Sequence, residues 1–165
     1  MSAPRVGGTA PLDAFLSYRL HQVNKVTDRA SSDAYAGEFG LPVGEARCLA
    51  AIGSFAPLSI NQLAARANLD KGQASRAAQA LVERGLVLKE AHPGDARGVV
   101  LQPTVEGRRL WARVMRVIAR RNQEIFGCLT AAEQRQLAVL LDRVLAHARP
   151  DALHDFRQAR AGSPS

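Results

Sequence analysis

Two helix starts, separated by one short helix, constrain this chain more than any other feature of its sequence. Ser59-Ile60-Asn61-Gln62 has the form of a capping box, in which the serine hydroxyl takes the backbone N–H three residues on and the glutamine reaches back. Asp70 is a good N-cap for a second helix, and Gln73 stands where the reciprocal partner belongs. Between them Ile60, Leu63, Ala64 and Ala67 share one face of a short helix, and Asn68-Leu69-Asp70 makes a tight link. The second helix is expected to run to about Arg84, with Gly85 ending it. Two short helices joined by such a turn form a helix-turn-helix.

The period then changes. Leu86–Glu90 reads as a short β run, His92-Pro93-Gly94-Asp95 as a turn, and Val99–Leu101 as a second β run stopped by Pro103. A β-hairpin directly after a helix-turn-helix is a wing.

Helices flank this middle on both sides. Leu12, Phe15, Leu16, Leu20, Val23 and Val26 recur at helical spacing, which predicts a first helix from about Pro11 to Ala36, broken by Gly37 and by Gly40-Leu41-Pro42. A second runs from about Val43 to Ser54 with Leu49 and Ile52 turned inward. After the wing, a long helix is expected from about Thr104 to Cys128, its apolar face made by Trp111, Val114, Met115, Ile118, Ile125 and Phe126. Thr130 and Glu133 form another capping box, opening a last helix with Leu137, Leu140, Leu141, Val144 and Leu145 inward. One helical turn near Asp151–Phe156 is expected in an otherwise fraying tail.

Composition narrows the function. At 47% hydrophobic and 22% charged residues the chain affords a packed core. No apolar run approaches the roughly 20 residues of a membrane span, and MSAPRVGGTA lacks the apolar core of a secretory signal, so a cytoplasmic protein with no membrane partner is expected. Cys48 and Cys128 read as two reduced core thiols. His21, His92, His147 and His154 are scattered, and no cluster has metal-ligand spacing. There is no phosphate-cradling glycine loop, no nucleophile–base order and no H-E-x-x-H. Neither an enzyme nor a cofactor is expected. The net charge of +7 and a pI near 10.4 point instead to a polyanion.

The second helix of the pair carries the residues that suit double-stranded DNA. Ala74, Ala77, Ala78, Leu81 and Val82 supply its packing, leaving Lys71, Gln73, Ser75, Arg76 and Gln79 polar, with Ser59 opening the helix before it. Arginine bonds guanine in bidentate fashion, glutamine reads adenine, and serine bonds a base or a phosphate. The plainer reading is a solvated helix face, and the wing that follows argues against it. Arg97 at the wing tip suits a narrow minor groove, and Asp95 would hold a nearby arginine by a charge-assisted bond.

These residues carry a resemblance. "LDKGQASRAAQALVERGLV" (Leu69 to Val87), "DAR" (Asp95 to Arg97) and "PTVEG" (Pro103 to Gly107), with "GLPVGEARCLAAIG" (Gly40 to Gly53) before them, resemble the multiple-antibiotic-resistance-regulator (MarR) family, and the likeness extends from about residue 12 to 148. Ala96 replaces a frequent second wing arginine, and Pro103 stands where leucine is usual. The resemblance implies a mainly α fold with a small β-hairpin wing. A winged helix-turn-helix domain over residues 43–103 is flanked by dimerisation helices over 11–36 and 104–148, with a leader at 1–10 and a tail at 149–165. It implies a homodimeric regulator, usually a repressor, that binds a pseudo-palindromic operator and is released by a small effector. The strong apolar stripes of the terminal helices agree with a dimer, because a chain this small must bury them against something.

For the effector, Tyr18, His21, Arg47, Trp111 and Met115 are the candidate lining, and aromatic faces with one cation suit an aromatic carboxylate. The plainer reading makes Trp111 and Met115 core and pairs Arg47 with Glu45 or Asp13. A redox trigger at Cys48 or Cys128 is the rival, and a winged-helix interaction module without an operator is a second. Arg109, Arg113, Arg116 and Arg120 form a basic stripe, read first as a solvated face.

Overall fold

In a computed structural model, residues 10–148 are described, residues 95–97 by their backbone alone. A 3-10 turn at Leu12–Ala14 precedes α1 (Leu16–Phe39), α2 (Val43–Phe55), α3 (Ile60–Ala67), α4 (Lys71–Glu83), β1 (Val87–His92), β2 (Asp95–Pro103), α5 (Val105–Phe126) and α6 (Ala131–Ala148). The expected order and the mainly α class hold. The expected turn at Asp151–Phe156, and His154 with it, lie outside the described residues.

Both capping boxes form. Ser59 Oγ accepts from the Gln62 N–H at 3.2 Å while the Ser59 N–H donates to Gln62 Oε1 at 2.8 Å. Asp70 Oδ1 accepts from the Gln73 N–H at 2.7 Å, and the Asp70 N–H donates to Gln73 Oε1 at 3.1 Å. Each cap satisfies backbone donors that a helix start otherwise leaves open. Asp70→Ala is therefore expected to lower the melting temperature by about 2–4 °C, measured by circular dichroism, with little change for Asp70→Asn.

The core lies where α2, α3 and α4 meet the root of the hairpin and the middle of α5. Leu49, Ile52, Leu63, Leu81, Val87, Leu101 and Val114 are all buried there. Small residues on α4, Ala74, Ala77 and Ala78, let it approach α2 and α3 closely. Gly85, at φ 71°, turns the chain out of α4 in the left-handed region that suits glycine.

The wing is longer than its apolar residues indicate. Val87 pairs with Pro103 and Ala91 with Val99, and His92 faces Asp95 across the Pro93-Gly94 turn. Pro103 ends β2 as a buried residue, so it closes the strand without displacing it. A further bridge joins the wing to the segment before α3. The Leu58 N–H donates to the Leu101 carbonyl at 3.2 Å, and the Leu101 N–H to the Leu58 carbonyl at 2.8 Å.

Thr104 fastens α5 to the other end of the hairpin. Its Oγ1 accepts from the Gly107 N–H at 2.9 Å and donates to the Gly85 carbonyl at 2.8 Å. Thr130 caps α6, and its N–H and hydroxyl both donate to Glu133, which holds that carboxyl below the usual carboxylate range.

Both terminal helices leave apolar stripes exposed, which for α6 differs from the inward face expected. Leu16 is 76% exposed, and Leu20, Val23 and Val26 are exposed with it. On α6, Leu140, Val144 and Leu145 are exposed, Leu137 and Leu141 are half-buried, and no described residue of that helix is buried. These stripes do not turn into the chain's own core, because α1 and α6 project from it. The first helix also begins at Leu16 rather than Pro11, since Phe15 is extended, and it passes through Gly37 to end at Gly40.

Candidate nucleic-acid interface and effector groove

The N-terminal half of α4 stands out from the core. Its inner face is alanine and leucine, which leaves Lys71, Gln73, Ser75 and Arg76 exposed. Arg76 lies back along the first turn, close enough that a Cβ on Gly72 would stand 3.4 Å from its Nη1. Among the described residues, Lys71, Ser75 and Arg76 make no side-chain hydrogen bond or ion pair within the chain. The helix start and these cations leave a positive, unpartnered surface.

Three expected readers are already engaged. Ser59 and Gln73 are held by their capping boxes, so Gln73 keeps its NH₂ donors but has its oxygen committed. Gln79 sits on the later turns of α4 beside β1. Its Nε2 donates to Glu83 at 3.1 Å and its Oε1 accepts from Lys89 Nζ at 2.7 Å. It tethers the wing to the helix. Asp95 and Arg97 take the first positions of β2 at the hairpin tip, and their side chains lie outside the described residues.

A groove of about 390 Å³ opens between the end of α1, α2, α3 and α5. Arg47 and Met115, both expected there, line it with Tyr35, Phe55, Arg66 and Ile118. Trp111 stands just behind the wall, its indole N–H donating to Ser54 Oγ at 3.3 Å, with Ser54 on the groove. Tyr18 and His21 do not reach the groove. They lie in the first half of α1, and at 1.5 Å per residue His21 is about 21 Å along the helix axis from Tyr35. Tyr35, Phe55 and Arg66 were missing from the sequence reading.

The groove combines aromatic faces with cations. The Arg66 guanidinium lies 4.4 Å from the centroid of the Phe55 ring. Burial pushes the Tyr35 phenol up, partly offset by Arg47 and Arg121. Arg47 pairs with Asp28 at 2.6 Å, and not with Glu45 or Asp13. Glu45 turns the other way, to Arg84 at 3.1 Å.

The remaining candidates separate. Cys48 is a buried core thiol, pushed up to about 12 by burial and then by Glu45, so it is not a thiolate at neutral pH. Cys128 is exposed, contrary to the core expectation, because α5 ends before it at Phe126. On the basic stripe, Arg109 pairs with Glu106, Arg120 with Glu38, and Arg113 lies 5.2 Å from the Phe39 centroid, leaving Arg116 exposed. No metal-binding group of three or more His, Cys, Asp or Glu occurs among the described residues. No described helix is long and apolar enough to cross a membrane.

Residues 39–98, which hold α2, both capping boxes, β1 and the start of β2, match the sequence profile of the MarR family. Over that stretch the chain is similar to the MarR family. It is 27% identical over 132 residues to an HTH-type transcriptional repressor of Mycobacterium tuberculosis, covering 80% of this chain and 94% of the relative. Wild-type MarR of E. coli in its apo form superimposes with a TM-score of 0.64 at 27% identity, covering 84% of this chain and 99% of that one. Bordetella bronchiseptica BpsR, whose DNA binding is regulated by 6-hydroxynicotinic acid, superimposes with a TM-score of 0.72 at 20% identity, over 83% of this chain and 97% of that one. The chain thus has the winged-helix fold of the MarR-type transcription regulators it resembles.

Proposed function

We propose that this MarR-family regulator is a homodimeric repressor that binds a pseudo-palindromic operator and leaves it when a small aromatic carboxylate enters the groove. The observation that carries the DNA part is the first turns of α4. Lys71, Ser75 and Arg76 are exposed there without partners among the described residues, on a helix capped at Asp70 and braced by a wing. In this reading Lys71 and Ser75 meet phosphate, Arg76 and the Gln73 amide reach base edges, and the tip bearing Asp95 and Arg97 follows the minor groove. Residues 43–103 form the reading head, and the helices of 11–36 and 104–148 form the dimer. Two heads related by a two-fold axis match half-sites about 10 base pairs apart.

The dimer part rests on the apolar stripes of α1 and α6, which the monomer leaves in water. The effector part rests on the groove. Arg47 would take a carboxylate, and Phe55, Met115 and Ile118 would cover a ring. The aromatic acid regulating BpsR has that chemistry. A thiol trigger at Cys48 is disfavoured by its burial and raised pKa.

The test is fluorescence-anisotropy binding to the DNA upstream of the chain's own gene, at several salt concentrations. Specific binding that survives competitor DNA, with a steep salt slope, is expected. Arg76→Ala is expected to weaken it about tenfold or more without moving the melting temperature. An Arg76→Ala protein that binds as tightly as the parent would favour a protein-interaction role for the winged helix.

A further inference from the structure

Arg47 does two things at once. Its side chain lines the groove, and its Nη2 lies 2.6 Å from Oδ1 of Asp28 on α1. Asp28 is 61% exposed, so releasing it to water costs little. The bridge is one of the ties between α1 and α2. From α2 a second ion pair runs outward, where Glu45, only 14% exposed, stands 3.1 Å from the Arg84 Nε at the end of α4. That second pair holds by charge, since the Glu45 oxygen is off the line of a hydrogen bond. Two ion pairs seated on α2 therefore connect α1, whose outer apolar stripe is unpartnered, to the reading helix.

We propose that Asp28 is an internal competitor for the effector: an anionic occupant of the groove takes Arg47 from Asp28 and so unlatches α1 from the reading head. This rests on the effector reading of the groove. One guanidinium edge serves either the Asp28 carboxylate or the carboxylate of the ligand, and both are planar oxygen pairs that arginine binds alike. An occupant that engages Arg47 loosens one restraint between α1 and α2, while Glu45 keeps α2 fixed to α4. A neutral molecule of the same shape fills the groove without displacing Asp28. Affinity for anions is thereby held down in the free protein, and binding is coupled to the geometry of α1 through a difference in contacts.

The test compares the full chain with Asp28→Asn, Asp28→Glu and Glu38→Gln. Glu38 is a second acid on α1 that pairs with Arg120 instead. The probes are 4-hydroxybenzoate, salicylate and 6-hydroxynicotinate, each matched with its neutral amide, titrated by calorimetry at millimolar concentration. Asp28→Asn is expected to bind a carboxylate about two- to fivefold more tightly than the parent, the range an exposed ion pair supports. Its amide affinity should not change, Asp28→Glu should return toward the parent, and Glu38→Gln should match it. Equal carboxylate affinity in parent and Asp28→Asn overturns the latch and leaves the groove reading intact. Equal gains for the amide, or for Glu38→Gln, also overturn it, by showing altered packing or a general field. Absence of binding by all three acids to every variant overturns the groove reading and the latch with it.

Discussion

Gly107→Ala is expected to lower the melting temperature by about 6–12 °C and to broaden the transition, as measured by circular dichroism. A Cβ at this buried position would stand 1.9 Å from the carbonyl oxygen of Leu86 and 2.9 Å from its carbonyl carbon. The obstacle is backbone, and it is pinned from both sides. The Leu86 N–H donates to the Leu81 carbonyl at 2.9 Å, and the Leu86 carbonyl accepts from the Thr104 N–H at 3.0 Å. Relief of the clash must move the start of α5 away from the exit of α4, which breaks the Thr104 cap. Gly53 offers a contrast. Its Cβ would meet the Trp111 ring at 2.3 Å, but a ring can swing where a peptide cannot. Gly37 is the control: nothing lies within 4 Å of its Cβ, and alanine in that helix should leave the melting temperature unchanged or raise it slightly. A Gly107→Ala protein as stable as the Gly37→Ala protein would show that α5 is not seated as closely as described.

The second large effect concerns the exposed stripes. Leu140→Glu combined with Val144→Glu is expected to convert the proposed dimer to a monomer in sedimentation, while melting of the reading head stays close to the parent. Both side chains are exposed within the chain, at 46% and 55%, so their loss opens no internal cavity. Operator affinity should then fall by a factor on the order of a hundred or more, because the second half-site is no longer engaged at the high local concentration a dimer provides. A double variant that remains dimeric would place the interface elsewhere, and one that is monomeric yet binds DNA as before would remove the two-headed reading.

The parts of the fold legible in the sequence were those governed by local chemistry. Ser59, Asp70, Thr104 and Thr130 start helices because their side chains bond backbone within three residues. Gly85 ends α4 because the chain there needs a positive φ. What was less legible depends on partners distant in sequence. The wing strands extend through Ala91-His92 and Asp95-Ala96-Arg97-Gly98, beyond the apolar runs, where no apolar alternation marks a strand. The stripe of α6 looked inward because periodicity reports a face and not what lies against it. Arg47 and Met115, named from type and rough location, line the groove, whereas Tyr35, Phe55 and Arg66 reach it only through the packing of α1, α2 and α3. Tyr18 and His21 lie apart from the groove for a related reason: they sit in the first half of α1, several turns from Tyr35.

The paired hydrogen bonds between Leu58 and Leu101 tie the entrance of α3 to the middle of β2, and the Lys89–Gln79 bond ties β1 to α4. Helix and wing are in this way a caliper with locked jaws. In the proposed DNA complex, the span from α4 in the major groove to the wing in the minor groove would be set inside each head by these ties. An operator recognised by such a device has to keep its spacing within a half-site invariant. Tolerance to inserted or deleted base pairs would be left to the stretch between the half-sites, which α1 and α6 would measure in the proposed dimer.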